Sequence, residues 1–170
     1  MGLSTRLLSF AKSMYKKYQN YVGRKIVHVE SPHYNPEALV GYCKKYKPKC
    51  FCITPVNYEF LNSEYSAGMN RDQLAQFLKK LYPRMKEAGA DLQLHVHVSW
   101  LPALVSKEKK RVMIEDAVRF FRNELGIVPS EIIFGWFAWD TEMEIISKDL
   151  GLKVVKWSPY IYDRWCEELL

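Results

Sequence analysis

Along this chain, short runs of apolar residues alternate with longer segments in which apolar residues recur at every third or fourth position. Short apolar runs bounded by proline or glycine are typical of buried β-strands, and the longer spacing is typical of amphipathic helices. On this pattern we predict strands at 25–30, 49–54, 91–100, 131–138 and 153–157, and helices at 2–22, 36–46, 70–88, 107–125 and 141–150, with one more short helix around 163–169.

Capping residues indicate where three of the predicted helices begin. Asn35 followed by Pro36 places a good N-cap before a proline at the first helical position. Asn70 occupies the N-cap position of the next long helix, and either Asp140 or Thr141 caps the helix before the fifth strand. These local signals support the helix assignments independently of the hydrophobic spacing.

Strand and helix follow each other five times, with an extra helix in front. Regular alternation of this kind predicts a parallel sheet covered by helices. Five or six strands within 170 residues fit either an open sheet or a short, incomplete barrel. No internal repeat or linker divides the chain, so we expect one α/β domain over residues 1–170, with an N-terminal helix at about 2–22.

Composition narrows the class of protein. Apolar residues make up 48% of the chain, too many for a disordered protein, and no run approaches the roughly 20 apolar residues that would span a bilayer. The first 22 residues lack the pattern of a signal peptide, so a cytoplasmic location is expected. The net charge of +6 comes from lysines in separate clusters without a nucleic-acid-binding motif, which disfavours a nucleic-acid partner.

The four cysteines do not form a recognisable redox or zinc motif. Cys50 and Cys52 are two residues apart within a predicted strand, and Cys43 and Cys166 stand alone. We expect buried structural thiols, with a disulfide from Cys43 as the alternative if the source is hyperthermophilic.

Two histidines on the third predicted strand are the strongest candidate for chemistry. His95 and His97 are two residues apart, so their imidazoles project from the same face of the strand, beside Trp100. Paired imidazoles are a common start of a zinc or iron site, but such a site needs at least a third protein ligand. The alternative is that these histidines are hydrogen-bonded core residues.

Other polar and aromatic residues follow the carboxyl ends of the predicted strands. In parallel α/β folds those ends share one edge of the sheet, where ligand sites form. A concave edge lined by histidine, carboxylate and tryptophan is typical of a ligand site, although tryptophans also serve as simple packing. The residues concerned are His28, His33, Asn57, Glu59, Trp136, Trp139, Asp140, Trp157, Ser158 and Asp163.

Several segments between Cys50 and Trp157 resemble the NodB-type polysaccharide deacetylases, also called carbohydrate esterase family four. His95-Val-His97-Val-Ser99 resembles the histidine motif of that family, and Met85-Lys-Glu-Ala-Gly-Ala-Asp-Leu-Gln-Leu resembles the run into it. The segment 120–134 is similar to the stretch before the arginine motif of that family, and 142–156 is similar to the helix and strand that follow. The resemblance implies a distorted, incomplete (β/α) barrel of about five to six strands.

The same resemblance implies a hydrolase that uses a divalent metal ion, with zinc as the first choice. The chain departs from the motifs of the family at four points. Thr54-Pro-Val-Asn57-Tyr-Glu59 stands where its aspartates are expected, Ser99 replaces its second metal histidine, no arginine occurs near Gly135, and no histidine follows His97.

The first functional hypothesis is therefore a metal-dependent hydrolase acting on an acylated carbohydrate or a related amide or ester. The metal would polarise the carbonyl and lower the pKa of bound water toward ~7. The metal ligands would be His95 and His97, with His28, Glu59 or Asn57 as the third. Glu59 or Asp140 would be the general base. Asn57, Trp100, Trp136 and Trp157 would contact the substrate.

Two alternatives remain open at this point. The departures from the deacetylase motifs favour a catalytically inactive binding or assembly module on the same scaffold. A His-x-His motif also opens barrels of the amidohydrolase and PHP types, but there it follows the first strand, whereas here it lies on the third. Exposed sheet edges of a partial barrel would additionally allow a homodimer.

Overall fold

The computed structural model describes residues 25–56, 68–99, 101–135 and 138–156, together with the backbone of 163–165. The strands are β1 Ile26–Val29, β2 Lys49–Cys52, β3 Asp91–Val96, β4 Glu131–Phe134, β5 Lys153–Val154 and β6 Asp163–Trp165. The helices are α1 Pro36–Tyr46, α2 Arg71–Glu87, α3 Lys107–Arg119 and α4 Thr141–Asp149. The alternation predicted from the sequence is confirmed, and the helix predicted at 2–22 lies outside the described residues.

The helices begin where the capping residues predict. The Asn35 side chain accepts a hydrogen bond from the Ala38 N–H at 3.0 Å. Asn70 forms a reciprocal capping box with Gln73, and Asp140 rather than Thr141 is the N-cap of α4. These starts depend on contacts within one turn of helix, which explains why the sequence alone locates them.

Helix α3 continues beyond its last regular turn as a π-helical segment, Phe120–Glu124. The helix predicted at 107–125 is therefore confirmed in extent, with a change of period near its end. Phe120 and Phe121 are adjacent in sequence and are both buried.

The six strands within the described residues are parallel and lie in the order β5-β4-β3-β2-β1-β6. β6 follows β5 in the chain but pairs with β1 at the far side of the sheet. Among the described residues β5 and β6 do not pair, so the sheet does not close. This is the α/β architecture of an incomplete barrel, as the sequence predicted.

The short helix predicted around 163–169 is wrong at its start. Asp163–Trp165 is a strand whose residues pair with Val27, His28 and Val29 of β1. The physical reason is tertiary: the open edge of β1 offers unpaired backbone groups to an incoming segment, and such pairing overrides local helix preference.

The two faces of the sheet differ in their side chains. One face, called here the outer face, carries the apolar residues of β1 to β4 and packs against the four helices in one hydrophobic core. Its strand residues include Val27, Val29, Cys50, Cys52, Leu92, Leu94, Val96, Ile132 and Phe134. The opposite face, the inner face, carries the residues between them, and most of the polar groups of the strands lie there.

Three of the cysteines lie in the hydrophobic core. Cys43, Cys50 and Cys52 are free and buried in the core at the outer face, as predicted. The hydrogen bond that the Cys43 thiol donates to Cys50 raises the pKa of Cys43, and burial raises it further. Within the described part of the chain, no helix combines the length and the apolar character needed to cross a membrane.

Candidate metal centre

The register of the strands explains which inner-face residues meet. His28 of β1 pairs with Phe51 of β2, and Phe51 pairs with Gln93 of β3. Paired residues of parallel strands project from the same face, and so do residues two positions further along. Glu30 and His95 therefore lie one step closer to the carboxyl ends of the strands than His28, on the same face.

Side chains from β1 and β3 meet although β2 lies between these strands. In a flat sheet, strands two places apart are separated by about 9–10 Å. The rings of His28 and His95 nevertheless have centroids 3.8 Å apart. The two rings therefore lean toward each other across β2, on the face of the sheet that also carries Phe51.

Glu30 lies at the centre of this group. Its Oε1 is 3.7 Å from the Nε2 of His28, 3.8 Å from the Nε2 of His95 and 3.7 Å from the Nε2 of His97. The Nε2 atoms of His95 and His97 are 2.6 Å apart. One carboxylate oxygen and three imidazole nitrogens thus converge at the carboxyl ends of β1 and β3, and we call these four residues the imidazole cluster.

The imidazole cluster is buried but reaches the surface through its carboxylate. The three histidines are each less than a tenth exposed, whereas the Glu30 side chain is 16% exposed. Low exposure strengthens the attraction between these donors and a cation because few water molecules screen it. Glu30 marks the side from which an ion could enter.

The donor set fits a divalent transition metal. His28, Glu30 and His95 each offer one ligand atom, and these atoms lie within 4.8 Å of one another. Ligands held at about 2.0–2.1 Å from a tetrahedral zinc ion lie about 3.3 Å apart, close to the spacing around Glu30 Oε1. Imidazole nitrogen combined with carboxylate oxygen suits zinc, iron and related ions. This group of residues can therefore hold a metal ion.

The structure brings the three histidines predicted as metal ligands, His28, His95 and His97, into one group. The sequence did not single out Glu30, which supplies the carboxylate. The signal was available, because Glu30 is two residues beyond His28 and must share its face of the strand. The sequence pattern instead favours Glu59, after the second strand, as the carboxylate ligand.

Asp140, predicted as a general base, lies in a different arrangement. Its Oδ1 accepts a hydrogen bond from the Met143 N–H at 3.0 Å, and its Oδ2 accepts one from the Lys110 ammonium at 2.6 Å. Burial by itself would raise the pKa of this carboxyl, but Lys110 and the helix N–H groups outweigh burial and hold the pKa below its usual range. Asp140 thus caps α4 and ties it to α3.

The remaining predicted site residues lie outside the described residues. Their roles therefore stay predictions: Glu59 as a general base, and Asn57, Trp100, Trp136 and Trp157 as substrate contacts.

Taken together, the fold and the cluster define a class: an open, parallel (β/α)-barrel-like protein with a candidate metal centre at the carboxyl ends of its strands. At the level of sequence, the chain matches no family model and no curated protein. Its similarity to known proteins is found in three dimensions.

Solved structures of family 4 carbohydrate esterases share this fold. The esterase from Streptomyces lividans in complex with acetate superimposes with a TM-score of 0.59 at 12% identity, over 79% of this chain and 62% of that one. The wild-type pseudoenzyme of the same family from Bacillus anthracis gives 0.55 at 10% identity, over 79% and 43%. The Streptococcus pyogenes deacetylase in complex with acetate gives 0.53 at 16% identity, over 74% and 51%.

This protein therefore has the family 4 carbohydrate esterase fold in a divergent form, and the resemblance predicted from the sequence is confirmed for the fold. The chain spans about three fifths or less of the length of these relatives. Both an esterase and a pseudoenzyme are among them, so the fold by itself leaves the activity open.

Proposed function

We propose that this protein is a metal-dependent hydrolase of the deacetylase type, acting on an acylated carbohydrate or a related amide or ester. One observation carries the proposal: Glu30 Oε1 lies 3.7–3.8 Å from three imidazole nitrogens at the carboxyl ends of the strands. Parallel α/β folds place their chemistry at this edge.

Zinc is the ion that we propose for the imidazole cluster, since three imidazoles and one carboxylate suit it well. A bound divalent cation supplies Lewis acidity that polarises a carbonyl and acidifies water. The residues of this chain supply the rest. Glu30 offsets the positive charge, and the buried rings of His28 and His95, stacked edge to face, hold their nitrogens in place.

Further roles in the reaction follow from the sequence. Glu59 is our proposed general base ahead of Asp140, because both oxygens of Asp140 already accept hydrogen bonds. Phe51 pairs with His28 and is buried, so it places an apolar side chain next to His28 on the same face of the sheet. Contacts with the acylated sugar are proposed for Asn57, Trp100, Trp136 and Trp157.

The test begins with elemental analysis of protein purified without chelator, together with the double variant His95→Ala/His97→Ala. We expect near-stoichiometric metal in the wild type and its loss in the variant. Hydrolysis of acetylated oligosaccharides should depend on the same two residues. A metal-free wild type that also fails to take up added zinc would refute the proposal.

A second candidate function is an inactive binding module on the same scaffold. Four donor residues converge in the imidazole cluster, and zinc sites with four protein ligands are usually structural, while catalytic ones keep a position open. Cobalt substitution separates the two candidates, because the visible spectrum of cobalt differs between four and five ligands. If His28→Ala changes that spectrum and raises hydrolysis, His28 closes the site in the wild type.

A further inference from the structure

Gly135 lies directly after β4 and beside the imidazole cluster. The last paired residues of β3 and β4 are Val96 and Phe134, so His97 and Gly135 come next in the same register. A Cβ atom built on Gly135 would lie 2.1 Å from Nδ1, 2.3 Å from Cγ and 2.4 Å from Cε1 of His97. The imidazole therefore occupies the volume that any other residue at position 135 would fill.

Backbone conformation does not explain the glycine at this position. Positive φ angles occur at Gly68, Gly89, Gly126 and Gly151, and Gly135 is not among the glycines that adopt them. An alanine could adopt the backbone of Gly135, but its methyl group would overlap the ring of His97. The requirement for glycine here is one of space.

His97 has little freedom to give way. Its Nε2 is 2.6 Å from Nε2 of His95 and 3.7 Å from Oε1 of Glu30, and the residue is buried. Relieving an overlap at about 2 Å requires the ring to shift by an ångström or more, since carbon atoms in contact lie about 3.5–4.0 Å apart. Such a shift would carry Nε2 away from the other donors.

We propose that Gly135 is a positioning residue: its missing side chain admits the imidazole of His97 to the cluster and so sets the geometry of the metal centre. The part concerning the metal ion rests on the proposed function. The packing part does not, because the overlap between residue 135 and the ring exists with or without an ion.

The experiment is a double-mutant cycle over Gly135→Ala and His97→Ala, with Gly41→Ala as the matched control. Gly41 lies in α1 with no atom within 4 Å of a built Cβ, so alanine fits there. Stability is measured by urea unfolding in the presence of chelator, and zinc affinity by calorimetry with zinc chloride on the chelator-free proteins.

We expect Gly135→Ala to lower the urea midpoint and to weaken zinc binding at least tenfold. Gly41→Ala should lower neither the urea midpoint nor the zinc affinity. Without the His97 ring, the atoms nearest to the new methyl group are removed, so the double variant should be no less stable than His97→Ala alone. If Gly135→Ala fails to fold, a folded double variant supports the proposal in the same way.

Three results would overturn it: wild-type zinc affinity and stability in Gly135→Ala, losses that add up in the double variant, or a double variant that does not fold although His97→Ala does. If even the wild type binds no zinc, the metal-dependent function fails, and the unfolding cycle still decides the role of Gly135 by itself.

Discussion

The two ends of the inner face carry charged and polar groups of different kinds. At the amino ends of the strands, the Lys49 ammonium lies 2.7 Å from a carboxylate oxygen of Glu131, and Gln93 accepts hydrogen bonds from the backbone N–H groups of Ser130 and Glu131. At the carboxyl ends, three imidazoles and the carboxylate of Glu30 converge. We call the first group the floor network.

In the floor network, Lys49 donates to Glu131 at 2.7 Å and Gln93 Nε2 donates to Asp91 at 2.6 Å, so both donor groups have acceptors within the protein. Its contribution is structural, because an ammonium and a carboxylate neutralise each other within the fold. The imidazole cluster instead brings together imidazole nitrogens and a carboxylate oxygen, which are the ligand types that zinc and related ions prefer. The same sheet face thus serves stability at one end, and we propose that it binds a metal ion at the other.

The largest expected effect concerns Glu30. Glu30→Gln keeps the shape of the side chain but replaces an anionic ligand oxygen by a neutral one. We expect zinc affinity to fall about 100-fold or more, or about 2.7 kcal/mol, measured by calorimetry. Glu131→Gln makes the same chemical change in the floor network and should leave zinc affinity unaltered. Equal losses of zinc affinity in both variants would show that the two ends of the inner face do not differ in zinc binding.

The second effect concerns the stability of the floor network. Glu131→Gln removes the charge that faces the nearly buried Lys49, whose side chain is 10% exposed. Loss of one partner of a buried ion pair is costly, and we expect about 2–3 kcal/mol less free energy of unfolding in urea. An unchanged free energy of unfolding would show that the ammonium finds other partners.

The third effect concerns the clamp between α3 and α4. Lys110 is 2% exposed and donates to Asp140 and Glu142, each at 2.6 Å. Lys110→Met keeps much of the buried volume and removes both charged hydrogen bonds. Because the carboxylates remain partly hydrated, we expect a loss of only about 1–2 kcal/mol at neutral pH.

The pH dependence of this clamp has a definite sign. The pKa of Asp140 is lowered in the folded protein, so its contribution is present above its unfolded pKa of about 3.9 and is lost as the pH falls through the folded pKa. Burial alone would lower the pKa of Lys110, but its two carboxylate partners raise it. The contribution of the Lys110 charge to stability is complete below its unfolded pKa of about 10.4 and is lost as the pH rises through the folded pKa. The difference between wild type and Lys110→Met should narrow at both extremes.

The smallest effect is expected at the surface. Glu37 and Arg84 form a two-pronged ion pair between α1 and α2, but their side chains are 73% and 46% exposed. Water screens such pairs and side-chain ordering offsets their attraction. Glu37→Gln should leave the urea midpoint unchanged within error. A clear drop in the midpoint would show that this exposed ion pair stabilises the fold despite screening by water.

Much of the fold was predictable because its signals are local. Asn35, Asn70 and Asp140 cap helices through contacts within a single turn, and the alternation of strands and helices predicts a parallel sheet. The shared face of His95 and His97 follows from the two-residue period of a strand, which holds in any sheet. The burial of Cys50 and Cys52 is predictable in the same way, because both lie in a short predicted strand of mainly apolar residues.

Only the tertiary structure decided which distant residues meet. Glu30 and His28 of one strand approach His95 of another across β2, and β6 pairs with the open edge of β1. The close approach at Gly135 likewise involves a ring from another strand. Sequence specifies the period and ends of each element through neighbouring atoms. Contacts between elements arise from packing over long separations, and no local pattern encodes them.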